Sequence, residues 1–465
     1  MIVMKFGGTS VGDGRCISRV AEIVEEASRE REVVVVVSAM SGVTDALLSA
    51  ATSAARGETT FWRIRRELSK RHQQAIAEAI ADERATHQLV EEVETLLSEF
   101  ETLCYGIHIL GELTARGSDA VVSLGERLSA RILAAALRER GVKTKAIEAT
   151  GLIITNGQHG AAAPLMDRTC EAVKDRLLPL LEEDVTPVVT GFIGATEEGE
   201  ITTLGRGGSD YSAAILANCL NADELWMWTD VDGVMTADPR IVPHAQTLPE
   251  ISYSEAAELS YFGARVLHPK TILPVAEKGI PIRIKNTFNP AGPSTLIVAQ
   301  PKPDRRTVKG ITSIDGLSLV TVEGRGMLGV PGVAAKVFSA VAEEGISVLM
   351  ISQSSSEQNI CFLIRQQAAK RALRALERAF ELELARRDVD RIWAQDGVAI
   401  IAAVGAGMKG TPGIAGKVFS ALGRRGINVI SIAQGSSEYN ISLVVDESDA
   451  DEAVRAIHEE FKLGE

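Results

Sequence analysis

Aromatic residues make up only 4% of the 465-residue chain, and no apolar run approaches the roughly 18 residues that a membrane-spanning helix needs. The early apolar stretch Val33 to Val37 is too short and follows an acidic, helix-like segment, so neither export nor membrane insertion is expected. Cysteines are few: Cys16, Cys104, Cys170, Cys219 and Cys361 are odd in number and scattered, without a C-x-x-C pair or neighbouring histidines at metal-ligand spacing. They read as reduced thiols with structural roles; no protein-built metal site is expected, and the expected location is the cytoplasm. Basic charge is scarce too, with 49 Lys and Arg against 62 Asp and Glu, a net charge of −13. A general nucleic-acid binder carries a basic face, so that class is excluded, and any anionic substrate must be held by local cations.

What is present is a globular composition, 45% hydrophobic and 24% charged, enough for two to four domains with a sizeable core. Through residue 300, short apolar runs (Ile2 to Phe6, Val33 to Val37, Val185 to Thr190, Glu224 to Thr229) alternate with amphipathic segments. Buried parallel strands linked by helices read this way. Between about 57 and 115 the pattern becomes long, charged and helical, with no glycine from Gly57 to Gly106, which marks a helical insertion or subdomain. Asn289 to Arg306 carries four prolines and is expected to be a linker.

Beyond the linker the chain repeats itself. GMLGVPGVAAKVFS from Gly326 returns as GMKGTPGIAGKVFS from Gly407, 81 residues on, and ISQSSSEQNI from Ile351 returns in register as IAQGSSEYNI from Ile432. Each unit reads as a small βαββαβ module. The second has no closing strand before Glu465, whereas Thr307 to Ile314 is an extra strand-like run ahead of the first. Interleaved modules are therefore expected, rather than two sequence-contiguous four-stranded sheets.

Four constellations carry candidate chemistry. Lys5-Phe6-Gly7-Gly8-Thr9-Ser10 follows a strand, so backbone N–H groups and a compact cation can approach phosphate; it lacks the G-x-x-x-x-G-K-[ST] spacing of a Walker A loop. Thr203 to Ser212 (TLGRGGSDYS) joins a strand to a helix, with Arg206 able to grip a carboxylate and Ser209 or Asp210 able to cap the helix. Trp228 to Met235 (WTDVDGVM), followed by Asp238-Pro239-Arg240, places acidic residues past a strand, suited to nucleotide hydroxyls or to ordinary turns. Ser123-Leu124-Gly125-Glu126 is a lone acid near a turn before a strong helix, which by itself usually means a solvated helix start.

Together these motifs resemble those of the aspartate kinases of the amino acid kinase family. KFGGTS, VVSAMSGVTD, SLGERLSA, VTGFIGA, TLGRGGSDYSA, TDVDGVMTADPR and FGARVLHP occur in the family's order, across almost the whole chain. The resemblance implies a three-layer α/β/α fold around a mostly parallel sheet over 1–300. Two ferredoxin-like ACT domains would follow, over 301–396 and 397–465. Carbamate, glutamate and uridylate kinases share the first fold but not the tandem tail. The implied reaction is phosphorylation of the L-aspartate side-chain carboxylate by ATP with Mg²⁺, the first step toward lysine, threonine and methionine.

By the same resemblance Lys5 would steady the phosphates, with Gly7, Gly8 and Thr9 along their path and Ser38 beside them. Glu126 would meet the substrate's α-amino group and Arg206 its α-carboxylate, with Gly207, Gly208, Ser209 and Asp210 supporting the site. Thr229, Asp230, Gly233, Val234, Asp238 and Arg240 would contact the nucleotide. Arg265 stands where the family often has lysine, which changes reach and geometry at a further nucleotide contact; His268 reads as structural.

The tail would bind an amino-acid effector, threonine favoured over lysine, through Met327, Gly329, Val330, Pro331 and Gly332. Gln353, Asn359 and Ile360, with their repeat partners Gln434, Asn440 and Ile441, would join them. Sheet edges there would support at least a homodimer. Two rival readings are a non-catalytic amino-acid sensor, which intact Lys5, Glu126, Arg206 and Asp230 disfavour, and a kinase fused to homoserine dehydrogenase. No dinucleotide domain follows the repeat, so the dehydrogenase half is expected to be absent.

Overall fold

The structure is a computed structural model that describes residues 1–263, 267, 269–302, 306–354, 358–435 and 437–465. It divides into two compact units. One comprises Met1–Val234, Thr247–Ala257 and Arg265–Pro301, the other Met235–Gln246, Glu258–Ala264 and Lys302–Glu465.

The first unit is built on an eight-stranded sheet. Its spatial order is Thr144–Ile147, Thr186–Thr190, Val33–Val37, Ile2–Phe6, Glu224–Thr229, Ile282–Asn286, Thr295–Val298, Glu250–Ser252. Neighbours run parallel except Ile282–Asn286 against Thr295–Val298. The central strand VVVVV is buried at every position, as a strand covered on both faces must be. Helices Gly14–Ser28, Val43–Ala55 and Ala115–Glu139 share one core with the central strands. On the other side, Gly208–Leu220 packs against the strands Ile2–Phe6 and Glu224–Thr229 and against helices Met166–Glu182 and Pro269–Lys278. The 57–115 stretch forms helices Phe61–Ala79 and Glu83–Leu110, whose apolar stripes, from Phe61 and Leu68 to Val93 and Phe100, join that same core.

Two expectations are corrected here. The proline-bearing stretch is not simply a linker, because Thr295–Val298 within it bonds to strands on both sides and buries Thr295 and Ile297. The cysteines are not all reduced, because Cys170 and Cys219 form a disulfide. Packing of the helices Met166–Glu182 and Gly208–Leu220 brings their Cα atoms to 4.7 Å across a sequence separation of 49. Cys16, Cys104 and Cys361 are free thiols, and burial pushes that of Cys104 up to about 12.

The second unit holds a six-stranded antiparallel sheet in the order Met350–Gln353, Asn359–Arg365, Gly310–Glu323, Arg391–Val404, Asn440–Asp446, Ser431–Ala433. Its two central strands are each 14 residues long and serve both modules. Leu317 to Glu323 pairs with Arg365 to Asn359, whereas Gly310 to Ile314 pairs with Val404 to Ile400 at the edge of the other module. The register shifts between Ile314 and Leu317, where Gly316 takes φ +70°; its repeat partner Gly397, 81 residues on, also takes φ +70°. One core gathers Val320, Val337, Phe362 and Leu376, the other Ile311, Ile401, Val418, Leu443 and Val454. The segment Met235–Gln246 folds with this unit, inserting Ala237 and Val242 into the second core. Among the described residues no helix is long and apolar enough to cross a membrane.

Candidate functional site

Four neighbouring parallel strands end at one edge of the first unit's sheet, and each hands the chain to a motif. Ile2–Phe6 leads into Gly7 to Ser10, Val33–Val37 into Ser38 to Ser41, Thr186–Thr190 into Gly191, and Glu224–Thr229 into Asp230 to Val234. The carboxyl edge of an open parallel sheet is where such folds bind ligands.

Lys5 Nζ forms an ion pair with Asp210 Oδ1, the two side chains 13% and 19% exposed. The Gly7 N–H donates to Trp228 O at 3.2 Å, and a Cβ there would sit 3.6 Å from Lys5 Nζ. A Cβ on Gly8 would lie 3.0 Å from Ala39 O, tighter than ordinary contact, while Ser41 N–H donates to Gly8 O at 3.1 Å. The glycines thus let one turn run against the next with the ammonium beside it, and Thr9 is exposed on that turn. Ser38 N–H donates to Phe6 O at 3.1 Å, and Ser38 O accepts from Ser129 Oγ at 2.6 Å.

Glu126 corrects the sequence reading, for it lies in the middle of the helix Ala115–Glu139 and is only 3% exposed. Its Oε1 accepts the Ala39 N–H at 3.2 Å, and Oε2 has no partner among the described residues. Burial pushes its carboxyl up to about 8, with the Ala39 N–H opposing the shift. A buried carboxylate with an unfilled oxygen is a receptor for a cationic or N–H-bearing group.

The helix Gly208–Leu220 starts after two left-handed glycines, Gly205 at φ +78° and Gly207 at φ +71°. A Cβ on Gly208 would stand 2.6 Å from Phe192 Cδ2, and one on Gly191 2.6 Å from Ser209 Cβ. The helix start is therefore wedged against the turn that follows Thr186–Thr190, with Ser209 9% exposed. Its first N–H groups favour an anion. Arg206, just before it, is exposed and makes no ion pair among the described residues, which leaves its guanidinium available.

Past the strand Glu224–Thr229, Thr229 Oγ1 donates to Asp230 Oδ1 at 3.2 Å. Val234 N–H donates to Thr295 Oγ1 at 2.8 Å, and Gly233, at φ +131°, has no room for a Cβ beside that hydroxyl. Asn286, Thr287 and Asn289, which no sequence signal assigned, tie these loops together. Asp232 Oδ1 accepts from the Asn286 and Asn289 amides at 2.9 and 3.1 Å, and Ser10 Oγ bonds Thr287 Oγ1 at 2.7 Å, across 277 residues. Asp238 and Arg240 belong to the segment that folds with the second unit and pair with each other, Nε to Oδ1 at 3.0 Å and Nη2 to Oδ2 at 2.5 Å. The carboxylate holds the exposed Arg240 guanidinium's pKa above its ordinary value. Arg265 and His268 lie outside the described residues.

In the repeat, Met327 is buried at the turn, whereas Gly329, Val330, Pro331 and Gly332 are exposed, with Gly329 and Gly332 at positive φ. Gln353 stands opposite Ile360 across two strands, with Asn359 beside it. In the second copy a cavity of about 550 Å³ is lined by Met408, Thr411, Ile414, Gln434, Glu438 and Ile441. The Asn440 amide is engaged by Glu258.

The profile of the amino acid kinase family matches residues 1–286, and that of the ACT domain matches 320–380 and 401–461. The bifunctional aspartokinase/homoserine dehydrogenase 1 of Arabidopsis thaliana is 39% identical over 99% of this chain, which covers 51% of that protein. The chain thus spans about half the length of the bifunctional relatives it matches. Aspartokinase 1 of the same plant is 35% identical, with 99% and 80% of the two chains covered. E. coli aspartokinase III in complex with aspartate and ADP (R-state) superposes with a TM-score of 0.83 at 31% identity, over 99% of both chains; its complex with lysine and aspartate (T-state) gives 0.79.

Proposed function

The chain belongs to the amino acid kinase family, among its aspartokinases with ACT domains, and from that premise we propose that it transfers the γ-phosphoryl group of ATP to the side-chain carboxylate of L-aspartate, giving 4-phospho-L-aspartate. The observation that carries this is a pair of unsatisfied receptors of complementary chemistry, a buried carboxyl that a bound ammonium would ionise and an unpaired guanidinium. The buried Glu126 carboxylate has a free oxygen for an ammonium, and the Arg206 guanidinium is free for a carboxylate. An α-amino acid offers both. The aspartate and ADP held by E. coli aspartokinase III support the same choice of substrates.

The acceptor carboxylate is already ionised at neutral pH, so no general base is needed. What the chain supplies is alignment and charge neutralisation. The Lys5 ammonium, held by Asp210, would face the phosphoryl oxygens together with the Gly8 N–H and the N–H groups of Ser209 and Asp210 at the start of the helix Gly208–Leu220. Thr229, Asp230, Gly233 and Val234 would hold the nucleotide. Mg²⁺ would arrive on the ATP phosphates. Bound there, it neutralises phosphate charge.

The ACT domains would read an amino acid, threonine on the wording of MISQSSSEQN, with the lysine complex of E. coli aspartokinase III keeping lysine in contention. The strands Met350–Gln353 and Ser431–Ala433, where Ser352 Oγ donates to Ile432 O at 3.4 Å, carry exposed Ile351 and Ile432, an apolar pair that would suit contact with a second copy.

ADP release from ATP should depend on aspartate and be suppressed by threonine or lysine. A folded protein that binds an amino acid by calorimetry yet hydrolyses no ATP with aspartate would point instead to the non-catalytic sensor.

A further inference from the structure

Asp119 stands seven residues, two turns, before Glu126 on the helix Ala115–Glu139, so the two carboxylates lie on one face. Asp119 is 2% exposed and takes its partners from two other parts of the first unit. Its Oδ1 accepts from Thr203 Oγ1 at 2.6 Å and its Oδ2 from His159 Nδ1 at 2.9 Å. The Gly160 N–H reaches both oxygens, at 3.2 and 3.0 Å. The second ring nitrogen of His159 lies 3.8 Å from Glu200, which pairs with Arg116 in the first turn of the same helix.

Thr203 closes the strand Ile201–Thr203, three residues before Arg206. Its carbonyl accepts the Ala162 N–H at 2.9 Å, and a Cβ on Gly205 would stand 3.2 Å from Gly160 O. The turn that bears Arg206 is therefore seated on the loop around His159 and Gly160, and that loop is anchored on Asp119.

An α-amino acid presents its ammonium and carboxylate at a fixed separation, so a site that reads both needs both receptors on one rigid support. The helix carries Glu126 directly and fixes the Arg206 turn through Asp119. We propose that Asp119, His159 and Thr203 are positioning residues that set the Arg206 turn against Glu126, and so select an α-amino acid as phosphoryl acceptor. This rests on Arg206 and Glu126 being the two receptors of the proposed function.

His159 is the member to change first, because it is partly exposed while Asp119 is not. In His159→Ala the KM for aspartate should rise about tenfold while the KM for ATP stays within about twofold. His159→Asn, whose amide can present an N–H where Nδ1–H stood, should recover most of that loss. Thr203→Val should show the same split, with a melting temperature that certifies a folded protein. An unmoved aspartate KM in both His159→Ala and Thr203→Val, or an equal rise in both KM values, would overturn the proposal. Active wild-type enzyme with insensitive variants removes this inference alone, whereas wild-type protein that makes no aspartyl phosphate removes the proposed function and this inference with it.

Discussion

Glu126 concentrates the residue-scale chemistry. Its carboxyl is pushed from the usual 4.5 to about 8, so between those values the folded chain binds a proton that the unfolded chain has lost. Its contribution to stability is full below pH 4.5 and is lost as pH rises through 8. Glu126→Gln removes that dependence, so the variant should gain on wild type by on the order of a few kcal/mol across this window. Melting curves against pH test it, and parallel curves for the two proteins would refute the assignment. The same variant should weaken aspartate binding by roughly 10- to 100-fold, the worth of a lost hydrogen bond to a charged group. The placement of Lys5, Gly7 and Gly8 at a strand end was legible in the sequence, because it needs only a strand and adjacent glycines. The burial of Glu126 in mid-helix was not, although the resemblance named the residue, because a helix's buried face is decided by what packs on it. The bonds of Ser10 and Asp232 were hidden for a related reason, their partners Thr287 and Asn286 lying 277 and 54 residues away.

At the scale of elements, the start of the helix Gly208–Leu220 is closely wedged into the site. Gly191→Ala would place a methyl 2.6 Å from Ser209 Cβ and backbone-adjacent atoms, which a flexible side chain cannot relieve. Overpacking of this kind costs about 1–3 kcal/mol, and displacement of Ser209 and Asp210 should lower kcat more than it changes the KM for ATP. Steady-state kinetics beside thermal melting check this; a variant with wild-type kcat and stability would show that the wedge has no function. The central strands were readable from their unbroken apolar runs. Thr295–Val298 was masked by the prolines around it, since its sheet bonds come from Ile282–Asn286 and Glu250–Ser252 and outweigh local propensity. The Cys170–Cys219 bond was likewise hidden, because helix packing and not spacing brings the thiols together.

On the scale of the whole molecule, the 81-residue repeat becomes one sheet whose two long strands belong to both modules. The glycines 316 and 397 mark where each strand passes from one module to the other. The segment Met235–Gln246, which carries Asp238 and Arg240, is built into the core of the second module rather than into the first unit. Sequence order alone assigns that segment to the first 300 residues; only the burial of Ala237 and Val242 reveals where it packs. The chemistry proposed for the whole chain is most directly tested by incubating it with ATP, Mg²⁺ and L-aspartate in hydroxylamine, which traps an acyl phosphate as its hydroxamate. The predicted result is aspartyl hydroxamate from wild type, strongly reduced turnover in Lys5→Ala, and a raised aspartate KM in Arg206→Ala. Well-folded wild-type protein that yields no hydroxamate would contradict it.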